Sequence, residues 1–227
     1  DTLALGALAV CTTLFNSMTW VFNFLIHATT QSVSEVSLNN KIRSQRMLLS
    51  LITAFVVGLL AFCILFFLRG PLYALAGARE ELIPLIESYF VVRLMGHPFS
   101  LLYTTSLSIL RGLSKVYHSF VLVGVTTLLN IFLSWLFLYK LEWSLAGVAS
   151  ATVISHIIGF GLCFLIMRGS FDFQNFNFKE CLDEWKIFGE KSFNLFGRSL
   201  FLTSSFFIGL RWIGELGVEH LAAHQIL

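Results

Sequence analysis

The chain has 227 residues, 56% hydrophobic and only 12% charged, with a mean hydropathy of +0.80 and a formal net charge of +2. A soluble domain carries about 25% charged residues, so this chain cannot hide its apolar surface by folding on itself in water, and it reads as an all-α integral membrane protein. The charge gives no footing for a nucleic-acid partner, because no basic cluster with interleaved aromatics is present. No phosphate-cradling GxxxxGK[ST] loop supports ATP-driven work, and no nucleophile–base or metal constellation points to an enzyme.

A helix needs roughly 20 apolar residues to cross a bilayer. Residues 6–30 contain no Asp, Glu, Lys or Arg and form the first expected span. Residues 31–46 are polar and end basic. Residues 47–68 are uncharged and form the second span, and 69–81 is expected to be a loop because Gly70-Pro71 and Gly77 are turn signals. The third span, 82–110, carries Arg93 and then Gly96-His97-Pro98, where the proline must kink or break the helix. Arg93 is read as lying near the outer end of that span, as Arg198 lies near the cytoplasmic end of its own. After a basic turn at 111–117 come the fourth and fifth spans, 118–139 and 143–167. Residues 168–192 are mixed in charge, with Phe178, Leu182, Trp185 and Phe188 at helical steps, and are expected to lie on the membrane surface. A sixth span at 193–214 holds Arg198 and ends near Arg211; LAAHQIL then opens a further helix.

Alternate connections hold Lys41, Arg43, Arg46, Arg111, Lys115, Arg168, Lys179, Lys186 and Lys191, against Arg69, Arg79 and Lys140 in the connections between them. The positive-inside bias assigns the first group to the cytoplasm. The four cysteines, Cys11, Cys63, Cys163 and Cys181, lack CxxC spacing and read as small hydrophobes. His220 and His224 follow Glu219 at helical spacing, but the glutamate that a zinc-protease helix needs after its first histidine is replaced by Leu221.

The fourth and fifth spans carry polar groups on one face each. Asn130 and Ser134 are four residues apart, as are Thr152 and His156. An unpaired polar group costs several kcal/mol in lipid, so both stripes should face protein or a water-filled cavity. His156 is the group here that titrates in the physiological range. Arg93 and Arg198 lie within spans and need a partner or a wet cavity, which makes both candidates to line a substrate cavity.

The run Tyr89…Arg93…Gly96-His97-Pro98, then Ser108-Ile109-Leu110-Arg111-Gly112-Leu113, then Leu129-Asn130-Ile131, then Ala146-Gly147-Val148-Ala149-Ser150-Ala151-Thr152 resembles the multidrug and toxic compound extrusion (MATE) family, and its DinF-type branch most. Arg198-Ser199-Leu200 and the terminal Leu221–Leu227 segment are similar to the opening of that family's second half. The resemblance implies six helices of a twelve-helix, two-lobe exporter that works by alternating access with H⁺ or Na⁺ as coupling ion and no cofactor. Residues 1–168 would be an N-lobe lacking most of its first helix, 169–192 the inter-lobe connection and 193–227 the start of the C-lobe. The partners implied are the lipid bilayer, a small organic solute and the remaining half of the transporter, in an inner or plasma membrane or, in a eukaryote, an organelle membrane.

The resemblance also implies a cation site. Asn130 matches the family's Asn and Thr152 its Thr, while Ser134 stands where the family has an acid; Asp1 matches the first-helix acid, though it reaches Leu5-Gly6 about three residues too soon. A hydroxyl can ligate an ion but does not titrate near neutral pH, so His156 is the substitute proton carrier to consider. Two alternatives stay open: a non-transporting or degenerate membrane scaffold paralogue, motivated by Ser134, and a lipid-linked sugar flippase of the same superfamily, which would call for a more cationic cavity than Arg93 and Arg198 supply.

Overall fold

The computed structural model describes residues 2–36, 38–75, 80–171, 184–186, 188–190, 192–198, 201 and 205. Its helices are α1 (Thr2–Glu35), α2 (Asn40–Leu75), α3 (Ile83–Met95), α4 (His97–Gly112), α5 (Val116–Trp135) and α6 (Ser144–Met167). A 3₁₀ turn, Glu80–Leu82, precedes α3; a π-helical turn, Leu136–Lys140, extends α5; another 3₁₀ turn, Arg168–Ser170, follows α6. No strand occurs among the described residues.

The bundle is built around α4. Thirteen of its 16 residues are buried, and it packs against α1, α2, α5 and α6. Its small polar residues make this close approach possible, and most of them keep their hydroxyls paired, Thr105 being the exception. Ser100, Thr104, Ser106 and Ser108 each donate a hydrogen bond to the carbonyl four residues back, at 2.7–3.2 Å, so their hydroxyls are satisfied within the helix and its surface stays narrow. The outer helix α5 has the opposite pattern. Its buried residues are Ser119, Leu122 and Thr126, while Phe120, Leu128, Ile131 and Phe132 are exposed. Apolar outside and polar inside suits a protein whose solvent is lipid.

Among the described residues, three helical stretches are long and apolar enough to cross a membrane: Asn40–Ala74, Val116–Lys140 and Ser144–Ser170; a bent pair, Gly6–Asn16 with Val21–Glu35, makes a fourth when counted as one span. The segment expected as the third span, 82–110, folds as two shorter helices, α3 and α4, joined at Gly96 with Pro98 in the first turn of α4. Gly96 is required here by close approach. A Cβ on it would overlap Cγ2 of Val153 on α6 and stand 2.7 Å from Cγ1 and 2.9 Å from Cβ. The break between α3 and α4 therefore rests directly on α6.

The expected loop at 69–81 is corrected. Helix α2 continues through Arg69-Gly70-Pro71 to Leu75. Packing outweighs the turn signals: Arg69 Nε donates to Glu87 Oε1 at 3.1 Å, its guanidinium lies 4.4 Å from the Phe66 ring centre, and Tyr73 is buried edge-on against Phe90 at 5.3 Å. Pro71 forfeits only its own intrahelical bond. The polar segment 31–46 is likewise mostly helix, with α1 running to Glu35 and α2 starting at Asn40.

Arg46, expected as a connection charge, is buried instead. Its Nε donates to Glu184 Oε2 at 2.6 Å, and Nη1 donates to the Ser32 carbonyl at 3.0 Å and to Glu35 at 3.4 Å. Phe188 is buried in the same core as Leu25, Met47, Leu110 and Met167. The chain after α6 thus returns to the α1–α2 end of the bundle. The rest of the expected surface helix and most of the sixth span lie outside the described residues, as do Cys181, His220 and His224. Cys11 and Cys163 are buried and Cys63 is exposed, and all three are free thiols.

Candidate functional site

Helix α6 presents a polar face to the bundle. On it, Thr152 and His156 stand one turn apart and reach two different helices. Asn130 Nδ2 on α5 donates to Thr152 Oγ1 at 3.1 Å, and Thr152 Oγ1 donates to the Val148 carbonyl at 3.1 Å. The Thr152 hydroxyl is thereby oriented, and Asn130 Oδ1 is left without a hydrogen-bond partner among the described residues. This is the pair that the sequence joined by resemblance, and it closes across two helices.

One turn along, His156 Nδ1 lies 2.8 Å from Ser100 Oγ on α4, and the imidazole stacks on Tyr103 with ring centres 5.1 Å apart and an interplanar angle of 25°. Tyr103 Oη in turn meets Thr126 Oγ1 on α5 at 2.5 Å. Gly159 makes room for that contact: a Cβ there would stand 2.7 Å from both Thr126 Cγ2 and Tyr103 Cε2. Ser100 Oγ also accepts a hydrogen bond from Arg93 Nη1 at 2.9 Å. A guanidinium only donates, so the serine proton is directed either to His156 Nδ1 or to the Gly96 carbonyl at 3.2 Å.

Arg93 is thus not near the outer end of its span. It is the eleventh residue of α3, just before the break, and α3 with α4 covers residues 83–112. At roughly 1.5 Å per residue its Cα stands about 7 Å from the midpoint of that pair. Its guanidinium lies 5.4 Å from the Phe15 ring centre on α1. No carboxylate of a described residue lies within ion-pair distance of it.

The other expected site residues do not join this arrangement. Ser134 shares the Asn130 face of α5 but makes no hydrogen bond among the described residues. Arg198 is an exposed residue of the described helical stretch 192–198 and shares no hydrogen bond or ion pair with the α6 face among the described residues. Asp1 lies outside the described residues. Sequence reasoning missed Ser100, Tyr103 and Thr126. The signal available was Ser100 seven residues after Arg93, two turns on across a glycine break. Among the described residues no group of His, Cys, Asp and Glu could hold a metal ion.

A helical bundle with apolar residues outside, hydroxyl and imidazole groups inside and several helices long and apolar enough to cross a bilayer defines a multi-pass integral membrane protein. A family model described as MatE matches residues 1–136. The chain is 31% identical over 170 residues to the "Probable multidrug resistance protein YpnP" of Bacillus subtilis, covering 72% of this chain and 38% of that protein. Among solved structures it is similar to the Vibrio cholerae MATE transporter VcmN in its bent form (TM-score 0.81, 21% identity, 100% of this chain and 52% of that one). It is also similar to an outward-facing multidrug resistance MATE transporter (TM-score 0.79, 17% identity, 99% and 52%). The chain belongs to the MATE family, and it spans about half the length of these solved relatives.

Proposed function

We propose that the transporter containing this chain is a cation-coupled antiporter of the DinF-type branch, exporting an organic solute by alternating access, with residues 1–168 as N-lobe, 169–192 as the inter-lobe connection and 193–227 as the start of the C-lobe. The observation that carries this reading is the Asn130–Thr152 bond between α5 and α6. Two oxygens from neighbouring helices, one already oriented by its own hydrogen bond, suit a hard cation such as Na⁺. Where H⁺ is the coupling ion, His156 is the carrier on the same face of α6. Coupling follows from competition: cation and solute bind opposite conformations, so each shifts the population by its differential affinity.

The test is efflux of a fluorescent organic solute from vesicles containing the full-length protein, under an imposed pH gradient and then a sodium gradient. The reading expects gradient-driven efflux that Asn130→Ala and Thr152→Ala abolish at unchanged protein level. Efflux that survives both substitutions would remove the coupling from this lobe. A second reading, a non-transporting scaffold paralogue, is favoured by Ser134, where the family has an acid. It expects no efflux under either gradient.

A further inference from the structure

Arg93 is the group the ion-coupling reading does not use. A guanidinium within a membrane protein costs several kcal/mol unless a counter-charge or a wet cavity meets it, and the described residues offer it the Ser100 hydroxyl, the Tyr89 phenol and an aromatic ring but no carboxylate. None of these neighbours brings a negative charge. Ser100 Oγ takes one of its five N–H groups, Phe15 lies under its edge, and His156, sharing the same serine, adds no negative charge. His97, at the break itself, is buried with its Nε2 unpartnered and its ring against Phe22. Two imidazoles, a guanidinium and a hydroxyl converge where α3 gives way to α4, and α1 and α4 supply aromatic walls.

We propose that this cluster is an acid-binding subsite: the transported solute carries a carboxylate that pairs with Arg93, assisted by Ser100 and His156, and an apolar or aromatic body that packs on Phe15 and Tyr103. This rests on the transporter reading above and names the substrate class for it. A guanidinium matches a carboxylate in a planar, two-point geometry that a point charge does not reproduce. A free solute and a lipid headgroup share this anion chemistry, and the lipid composition of the test separates them.

The experiment uses full-length protein in nanodiscs of zwitterionic phosphatidylcholine, so that no lipid carries a net negative charge or a carboxylate. Equilibrium binding is measured for 1-naphthoate and for naphthyltrimethylammonium, which share a ring system and differ in charge. The proposal expects the wild-type protein to prefer naphthoate by at least tenfold. Arg93→Gln should abolish that preference, and Arg93→Lys should retain part of it. Should the glutamine variant not elute as a single species, Ser100→Ala and Arg93→Lys decide, each weakening naphthoate several-fold with the cation unchanged. Wild-type protein that binds only the cation, or variants that leave naphthoate affinity unchanged, would overturn the proposal, the first outcome meaning that a carboxylate of the protein itself already holds Arg93. Binding and transport fail separately: naphthoate bound but never moved by a gradient refutes the antiporter, whereas gradient-driven export of the cation without naphthoate binding refutes the acid subsite alone.

Discussion

Substituting Gly96 by alanine isolates how the α3–α4 break is held. Gly96 has φ −80° and ψ −5°, an ordinary right-handed conformation that alanine adopts freely, so the backbone carries no penalty. Helix propensity alone favours alanine by about 0.5–1 kcal/mol. Against this, the added Cβ enters the Val153 side chain, with Cγ1 at 2.7 Å and the branched Cβ at 2.9 Å. A β-branched side chain has little rotamer freedom in a helix with which to escape. Overpacking of this kind costs about 1–3 kcal/mol, so Gly96→Ala should destabilise by roughly 1–2 kcal/mol net. Val153→Ala removes the two Cγ atoms and should cost about 1.6 kcal/mol on its own, at about 0.8 per buried methyl. The double variant should be more stable than the sum of the two by at least about 1 kcal/mol, because the second change deletes the obstacle met by the first. The assay is reversible unfolding of the full-length protein in mixed micelles, run as a double-mutant cycle. A neutral or stabilising Gly96→Ala, or strictly additive variants, would refute the argument that α6 bears directly on the break.

Further outcomes follow from individual contacts. Tyr103→Phe removes the 2.5 Å contact to Thr126 and should cost about 0.6 kcal/mol, the average for hydrogen bonds between membrane helices, and no more than about 1.7; Thr126→Val should add little to it in the same unfolding assay. Arg46→Ala removes the cation that Glu184 and Glu35 both meet. Since the Arg46 side chain is 9% and that of Glu184 16% exposed, the loss should approach the roughly 3–5 kcal/mol of a broken buried pair, and protease cleavage in 168–192 should quicken. Arg69→Ala, by contrast, breaks a pair with both partners over a third exposed and should move the unfolding midpoint by under about 1 kcal/mol.

What the sequence reveals here follows from which physical term dominates. The spans are legible because the cost of lipid exposure acts on every residue of a 20-residue run, and no packing detail reverses it. The Gly96-His97-Pro98 break is legible for the same reason, since a missing N–H is local chemistry. Asn130 and Thr152 are legible because helical spacing assigns each a face and the family resemblance pairs the faces. Ser100 and Thr126 are not, since serines and threonines that bond their own helix are common in membrane bundles, and nothing local tells which of them also faces an imidazole or a phenol. The helical end of α2 and the burial of Arg46 depend on partners distant in sequence, Glu87 with Phe90 and Glu184, and such contacts leave no mark in the segment that makes them.

The central claim is that one face of α6 lines a water-filled path while the opposite face meets lipid. Reaction of single cysteines with a water-soluble methanethiosulfonate reagent tests it most directly, in vesicles holding full-length protein free of its other cysteines. Thr152→Cys lies on the Asn130 face, and Ile157→Cys replaces a residue that is 41% exposed on the outer surface of the bundle. The account expects Thr152→Cys to react at least tenfold faster than Ile157→Cys. Equal rates, or faster reaction at position 157, would contradict it.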